Sequence, residues 1–374
     1  MLKRVREREL GIGRAEFRRR NARARFSSYR LEQQHDTHDP DAANLKLSFL
    51  RRRSKIVEIV AAGDVVFALT LSGVCAAFCG SRRIAFLNTM PDEVIRSLFY
   101  NKANRSLITV SVYRDDNFSS LKCRTTPIEY IRRGQPDAGF ALFESECLKW
   151  PGFVEFDDVN GKVLTYSVLD KAYRVWDMTN YEELYVMREP EIAEIKISPG
   201  IMLVIYNRVA DHVPLKVVNI EDGATLLQII DVHTHSLVSV ATTDFLTPAA
   251  FIFLYDKQLF LTFRNRYVHV WNFRGEMVTA FDDHTLWHPD TNTNNIYITS
   301  TQDYIVSYCR RSDTDSGAGG GVHISSILTG KCVARLADGA PLPELQDVTS
   351  LFYNEERHEL YIGNKQGILT VWAQ

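Results

Sequence analysis

Short runs of β-branched and aromatic residues alternate with polar turns from Leu45 onward, and no long helical pattern occurs there. Strict alternation, as in Val268-His269-Val270-Trp271, is typical of a strand that buries one face. Evenly spaced short strands favour a sandwich, a barrel or a propeller. The pattern therefore predicts an all-β fold over this part of the chain.

An internal repeat narrows this choice. The stretches 163–178, 259–274 and 360–372 each hold an apolar strand, a polar turn and an alternating strand, which ends in Trp176, Trp271 or Trp372. The stretch 322–336 begins at the matching second strand. A large Trp at a fixed place fills space between stacked sheets, so we expect these three indoles to be buried.

The repeated stretches resemble WD40 repeats. Val175-Trp176-Asp177 matches the signature of that family, and Asp170 stands at the position of its turn aspartate. In 322–336 the TGKC turn is kept, but Ser325 and Ser326 replace the Trp-Asp pair. The segment around His233 and His235 resembles the entry segment that usually carries Gly-His.

Weaker equivalents of the Trp position lie near Ala77, Cys123 and Asn219. Together with the clearer repeats they make seven, which the resemblance translates into a seven-bladed WD40-type β-propeller over residues 45–374. The family's Asp-His-Ser/Thr-Trp network is incomplete, because Asn265 and Lys365-Gln366 replace the turn aspartate in two repeats. The resemblance implies a non-enzymatic protein-interaction scaffold or adaptor of a multiprotein complex.

The last repeat lacks its fourth strand, and the alternating segment Leu45–Leu50 precedes the first repeat. In propellers of this family an N-terminal strand completes the last blade, so we expect Leu45–Leu50 to play that part. This divides the chain into a basic arm at 1–34, expected to be helical and separate from the ring, a polar linker at 35–44 and the propeller at 45–374.

The arm is strongly basic: residues 1–34 hold eleven Lys/Arg against four Glu, in a chain whose formal net charge is -2. The candidate residues are Lys3, Arg4, Arg6, Arg18, Arg19, Arg20, Arg23 and Arg25. They resemble nuclear localisation clusters, they could touch nucleic-acid phosphates, or they could form a solvated tail. A nuclear or cytoplasmic location follows. Mitochondrial targeting is a lesser alternative, since Glu7, Glu9 and Glu16 are untypical of transit peptides.

The six cysteines are scattered, which favours free thiols in a reducing compartment. No run of eighteen apolar residues and no secretory signal is found, so no membrane partner is expected.

Chemistry-bearing motifs are few, and the sequence predicts neither an enzyme nor a cofactor. His284 and His288 lie four apart in the segment 282–290, a spacing that would suit a metal ion on a helix. Pro289 and the position between two repeats favour a connecting loop instead. The glycine-rich stretch 312–321 is no phosphate-binding loop and is interpreted as a flexible insertion.

One further stretch suggests an alternative function. Trp271, Asn272 and Arg274 resemble the W-D-x-R box by which some WD40 proteins dock on the adaptor of cullin-4 ubiquitin ligases. Asn272 replaces the acid of that box. The alternatives to the scaffold are therefore a substrate receptor of such a ligase and a nucleic-acid-associated protein that binds through its basic arm.

Overall fold

The computed structural model describes residues 22–39, 45–157, 160–189, 191–198, 201–207, 215–229, 250–254, 257–264, 266–272, 276–281, 284–287, 295–310, 320–336 and 342–374. In these residues the strands form seven four-stranded sheets. Chain contacts divide the protein into two compact units. Unit 1 comprises Met1–Thr37, Ser54–Ile59 and Val240–Gln374, and unit 2 comprises His38–Arg53 and Val60–Ser239.

Unit 2 carries four sheets that follow one another along the chain. The N-terminal half of the first strand of the first sheet is counted in unit 1. Their strands are, in sheet 1, β2 (Ile56–Ala62), β3 (Val65–Thr70), β4 (Cys75–Cys79) and β5 (Arg82–Phe86); in sheet 2, β6 (Glu93–Asn101), β7 (Ser106–Tyr113), β8 (Lys122–Pro127) and β9 (Phe140–Leu142); in sheet 3, β10 (Phe153–Asp157), β11 (Lys162–Ser167), β12 (Ala172–Asp177) and β13 (Glu183–Met187); in sheet 4, β14 (Ile192–Ser198), β15 (Ile201–Tyr206), β16 (Leu215–Asn219) and β17 (Thr225–Ile229). A short helix, Ile128–Arg132, follows β8.

Unit 1 carries three sheets, the last of which takes its outer strand from the N-terminal part of the chain. Their strands are, in sheet 5, β18 (Ala250–Leu254), β19 (Leu259–Arg264), β20 (Tyr267–Asn272) and β21 (Met277–Ala280); in sheet 6, β22 (Ile296–Ile298), β23 (Tyr304–Arg310), β24 (Gly320–Ser326) and β25 (Cys332–Arg335); in sheet 7, β26 (Val348–Asn354), β27 (Glu359–Asn364), β28 (Ile368–Ala373) and β1 (Arg30–Asp36). Residues 22–27 are helical.

Alternation of side chains builds the core on both faces of the sheets. In sheet 6, Ile305 and Cys309 face a cluster with Phe263 and Phe281 of the preceding sheet and its connector. Val306 and Tyr308, from the same strand, belong instead to the cluster that includes sheet 7. Two buried faces explain why an inner strand such as β3, with the sequence VVFALT, is apolar at nearly every position.

A shared bulge relates the sheets to one another. In sheet 3 Val175 is opposite Tyr185 and Trp176 is opposite Glu183, so the fourth strand carries one extra residue, Leu184, beside the Trp. The pairing of the third strand with the fourth shifts in the same way in sheets 1, 4, 5, 6 and 7. The shift places the Trp-equivalent position at Phe78 in sheet 1 and at Val218 in sheet 4, one residue from Ala77 and Asn219.

The strand that completes sheet 7 differs from the prediction. Leu45–Leu50 is not a strand, whereas β1 pairs antiparallel with β28 from Arg30 opposite Ala373 to Asp36 opposite Ile368. The alternation in Leu45–Leu50 was misleading, because the buried residues Leu47 and Leu50 are three apart in a turn and pack on Val74. The idea that an N-terminal strand pairs with the last repeat holds, but the strand was placed wrongly.

The end of the predicted arm is also different from the expectation. A helix over all of 1–34 is wrong, because the helical segment 22–27 ends before β1 begins at Arg30. The boundary at 34/35 between arm and linker falls inside that strand. Phe26 and Tyr29 are buried in the core of unit 1, so this part of the arm is not separate from the sheets. The all-β class is confirmed, and closure of seven blades into one ring stays a prediction.

Candidate protein-interaction surface

The three repeat tryptophans occupy equivalent, buried places. Each lies in the third strand of its sheet, where its exposed fraction is 9% for Trp176, 8% for Trp271 and 3% for Trp372. Each indole N–H donates to a threonine hydroxyl: Thr165 at 2.9 Å, Thr262 at 2.8 Å and Thr370 at 3.0 Å, respectively. Thr165 and Thr262 lie in the second strands of their sheets, whereas Thr370 lies in the same strand as Trp372. A buried indole needs an acceptor, and the three sheets supply it from these two places.

In sheet 3 the Trp176-Thr165 pair extends into a charged network. Thr165 donates to Glu146 at 3.1 Å, and Arg174 donates to the same carboxylate at 3.1 Å. The Glu146 side chain is 2% exposed. Arg174 also bonds to Asp170, and this hydrogen bond is the main cause that lowers the pKa of Asp170 to about 2. The predicted turn aspartate therefore holds an arginine at the end of a Trp-Thr-Glu-Arg chain.

Comparable polar residues occur in two other sheets, at the start of the first strand (Glu93) or in the connector before it (His284). Ser111 of the second strand donates to buried Glu93 at 2.8 Å in sheet 2, and Ser307 contacts His284 in sheet 6. The sequence reading missed Glu93 and Glu146, because a lone Glu 18 or 19 residues before a Ser or Thr has no distinctive pattern. In all three sheets a polar side chain in the connector, or at the first residue of the first strand, bonds a hydroxyl of the second strand.

Exposed apolar side chains collect at one end of the sheets in unit 2. An up-and-down antiparallel sheet puts its second turn and its two flanking connectors at the same end. We call this end the connector edge. Large apolar side chains exposed there, with their exposed fractions, are Leu71 (58%), Met90 (52%), Phe118 (36%), Trp150 (85%) and Leu169 (83%).

Backbone hydrogen bonds join the segments that carry three of these side chains. The N–H of Trp150 donates to the carbonyl of Ser119 at 3.1 Å, next to Phe118. On the other side, Val168 donates to the carbonyl of Cys147 at 3.0 Å, next to Leu169. The connector that carries Trp150 is thus held between the second turns of sheets 2 and 3. Phe118, Trp150 and Leu169 form the centre of the connector edge.

The neighbouring part of the edge is fixed in a similar way. Gly73 has a φ of +99°, and a Cβ on it would overlap Val94. Its carbonyl accepts hydrogen bonds from the Ile95 N–H at 3.0 Å and the Asn88 side chain at 2.8 Å. These bonds tie the turn of Leu71 to the connector of Met90.

Cations flank the apolar side chains of the connector edge. Lys149 and Lys171 are exposed directly beside Trp150 and near Leu169, and Arg52 is exposed in the connector that precedes sheet 1. Asp170, the acid nearest to Leu169, is already paired with Arg174. Positive charge therefore lies beside Trp150 and Leu169, whereas the exposed acids Asp115 and Glu144 lie in the turn of Phe118 and at the start of the Trp150 connector.

The predicted docking box lies elsewhere, in sheet 5. Trp271 is buried, and the Asn272 side chain donates to Glu276 at 2.7 Å and accepts from its backbone N–H at 3.0 Å. Arg274 lies outside the described residues, as do His233 and His235. The box stays a prediction.

Only the end of the basic arm is described. Arg23 is exposed, and Arg25 donates to the Tyr353 hydroxyl at 3.5 Å. The other candidate arm residues, Lys3, Arg4, Arg6, Arg18, Arg19 and Arg20, lie outside the described residues. Asp177, the last residue of the repeat signature, accepts a hydrogen bond from the Thr179 N–H at 2.6 Å, which lowers its pKa.

The connector segment 282–290 contains one unexpected residue. His284 lies in a connector, as predicted, but its side chain is completely buried. Trp287 packs against Tyr308 with ring centroids 5.5 Å apart. Asp282, Asp283, His288 and Asp290 lie outside the described residues. No helix in the described part of the chain is long and apolar enough to cross a membrane.

Comparison with solved structures identifies proteins of similar fold. The WD40 domain of Neurospora crassa Pan2 is similar with a TM-score of 0.53 and 10% identity, over 93% of this chain and 96% of that one. The WD40 β-propeller domain of Doa1 (TM-score 0.48, 14% identity, 93% and 98% covered) and the computationally designed Ika8 protein (TM-score 0.46, 16% identity, 86% and 97% covered) are also similar. The four-stranded sheets and the similarity to the Pan2 domain show a WD40-like β-propeller fold.

Curated proteins give no match to this sequence. One family model matches it over residues 14–228 and 225–372, which is nearly the whole chain. The protein belongs to the family described as the domain of unknown function DUF7899.

Proposed function

We propose that this protein is a non-enzymatic scaffold or adaptor that binds partner proteins through the connector edge of unit 2. The observation that carries the proposal is Trp150, which is 85% exposed and is held by backbone hydrogen bonds between Phe118 and Leu169. A propeller fold is compatible with many functions, so the proposal depends on this site and not on the fold.

The physical reason for expecting a binding site here is that exposing apolar surface to water is unfavourable. Contiguous apolar patches on a monomer mark sites of association. Trp is enriched among the few residues that dominate binding energy, and its truncation at such a site typically costs about 2 kcal/mol or more. Because the backbone of the connector is already fixed, little ordering cost has to be met when a partner binds.

The charges specify the partner further. Lys149 and Lys171 lie next to the apolar centre and are exposed. A segment with one or two large apolar side chains flanked by Asp or Glu would match both features, and the cations would mainly raise its association rate. We therefore expect an acidic peptide segment or loop rather than a basic one.

The test uses Trp150→Ala with Leu169→Ser as a second variant. Leu328→Ser is the matched control, because Leu328 is 67% exposed in the turn between the third and fourth strands of sheet 6 and is not part of the connector edge. Partners are identified by quantitative affinity purification from cells, and the Kd of each is then measured with purified proteins. We expect both edge variants to weaken binding by at least about tenfold. Unchanged Kd values for every partner would refute the site.

The narrower roles stay predictions. Docking on a ubiquitin-ligase adaptor needs Arg274, and nucleic-acid binding or nuclear import needs the arm cations, of which only Arg23 and Arg25 are described. Salt titration of nucleic-acid binding separates the arm from the connector edge, since phosphate contacts give a log-linear loss of affinity with salt.

A further inference from the structure

One face of sheet 6 is polar where the equivalent face of sheets 3 and 5 holds a repeat Trp. Ser307 and Cys309 of β23 and His323 and Ser325 of β24 all lie on this face, because Ser307 is opposite His323 and alternate residues share a face. Ser325 stands where sheets 3 and 5 have Trp176 and Trp271. Polar side chains thus occupy the space that an indole fills in sheets 3 and 5.

His284 lies over this face and is completely buried. Its Nδ1 is 2.7 Å from the Ser325 hydroxyl, and its Nε2 contacts the Ser307 hydroxyl. A neutral imidazole offers one lone pair to a metal ion.

The donor atoms of three side chains converge here. The ligating atoms of His284, Cys309 and His323 all lie within 4.8 Å of one another, and all three residues are buried. The Ser307 hydroxyl is 3.7 Å from the Cys309 sulfur and also contacts His284. Bond lengths to zinc place the ligand atoms of a tetrahedral site about 3.3–3.6 Å apart. Side-chain movements of about 1 Å would therefore bring this set to zinc geometry.

We propose that sheet 6 binds one Zn²⁺ ion through His284 Nε2, the Cys309 thiolate and a ring nitrogen of His323, with the Ser307 hydroxyl as the fourth donor. Two imidazoles and one thiolate are ligands that zinc prefers. In this arrangement His284 Nδ1–H donates to Ser325, the kind of outer hydrogen bond that fixes the tautomer of a metal-bound histidine.

The chemistry of binding is a proton exchange without any redox change. Zn²⁺ takes the sulfur electron pair of Cys309, the S–H proton leaves to solvent, and the two imidazoles each donate a lone pair in their neutral form. Burial raises the pKa of the free Cys309 thiol, so the metal ion itself must stabilise the thiolate. The ion would tie the connector that carries His284 to the two central strands of sheet 6.

The experiment uses the full-length protein purified without chelator or affinity metal. We expect about one zinc per chain by elemental analysis, and a cobalt-exchanged sample should show thiolate-to-cobalt charge transfer in the near-ultraviolet with tetrahedral bands in the visible. Cys309→Ser should lose the charge-transfer band and most of the zinc. Cys123→Ser, which changes another buried cysteine in β8, is the matched control and should keep both.

Stability gives a second readout. Chelation should lower the melting temperature of the wild type and leave that of Cys309→Ser unchanged. If Cys309→Ser does not fold, the wild-type cobalt spectrum decides by itself. A wild-type protein that binds no zinc after purification or added metal, or whose cobalt form lacks the thiolate band, would overturn the proposal.

Discussion

Replacing Phe26 by alanine tests whether the N-terminal segment is part of the fold. Phe26 is 3% exposed, and its ring lies 5.4 Å from that of Tyr29 and 5.2 Å from that of Tyr353. Tyr29 in turn donates its hydroxyl to the carbonyl of His358 at 2.6 Å. These contacts join the segment before β1 to the strands β26 and β27.

The expected loss can be worked from this packing. Truncation of a buried Phe to Ala costs about 3–5 kcal/mol through lost transfer energy and the cavity that remains. This range already includes the loss of the two ring contacts, each worth about 0.5–1.5 kcal/mol. We therefore expect the free energy of unfolding to fall by about 3–5 kcal/mol.

Urea unfolding followed by intrinsic tryptophan fluorescence measures this change. Arg23→Ala is the control, because Arg23 is exposed in the same helical segment and its loss should change stability by less than about 0.5 kcal/mol. If Phe26→Ala and Arg23→Ala shift the urea midpoint equally, the segment before β1 does not pack on sheet 7 and its assignment to the core is wrong.

Two further predictions concern the repeat and pH. Trp176→Ala should lower the free energy of unfolding by about 3–5 kcal/mol, whereas Trp150→Ala should change it by less than about 0.5 kcal/mol. Calorimetry measures the melting temperature of both variants. Equal shifts of the melting temperature would contradict the assignment of Trp176 to the blade core. Burial lowers the pKa of His35 below its ordinary value of 6.5, so its contribution is fully present above that pH and is lost as the pH falls below it. His35→Gln should flatten the decline of the melting temperature on acidification below pH 6.5, and an unchanged slope would show that His35 does not contribute.

Much of the fold is legible in the sequence where large side chains repeat. The third strands of three sheets are recognisable by Trp176, Trp271 and Trp372, because a smaller side chain would leave a cavity where the indole packs between sheets. The strand β1 was missed because it is a polar outer strand, RLEQQHD, in which only His35 is buried. Outer strands carry polar residues that guard against edge pairing, so apolar periodicity does not reveal them.

The candidate sites were less accessible to sequence reasoning. Trp150 is one of five tryptophans, and nothing in its neighbours distinguishes an exposed indole from a buried one. His284 was noticed, but together with His288, which is four residues away in the chain. Its partners in the structure are Cys309 and His323 from two strands, and such a grouping exists only once strand register is fixed.

The pairing of β1 with β28 also determines when sheet 7 can form during protein synthesis. Thr37 bonds to the carbonyl of Gly367, a separation of 330 residues. At usual translation rates, β1 waits about 15–70 s for its partner strand to be made. During that interval Phe26 and Tyr29 lack the surface on which they pack, and the N-terminal segment is a ready target for chaperones. A chain truncated before residue 368 would lack β28 and leave β1 without its partner strand, so sheet 7 can be completed only after translation has passed this point.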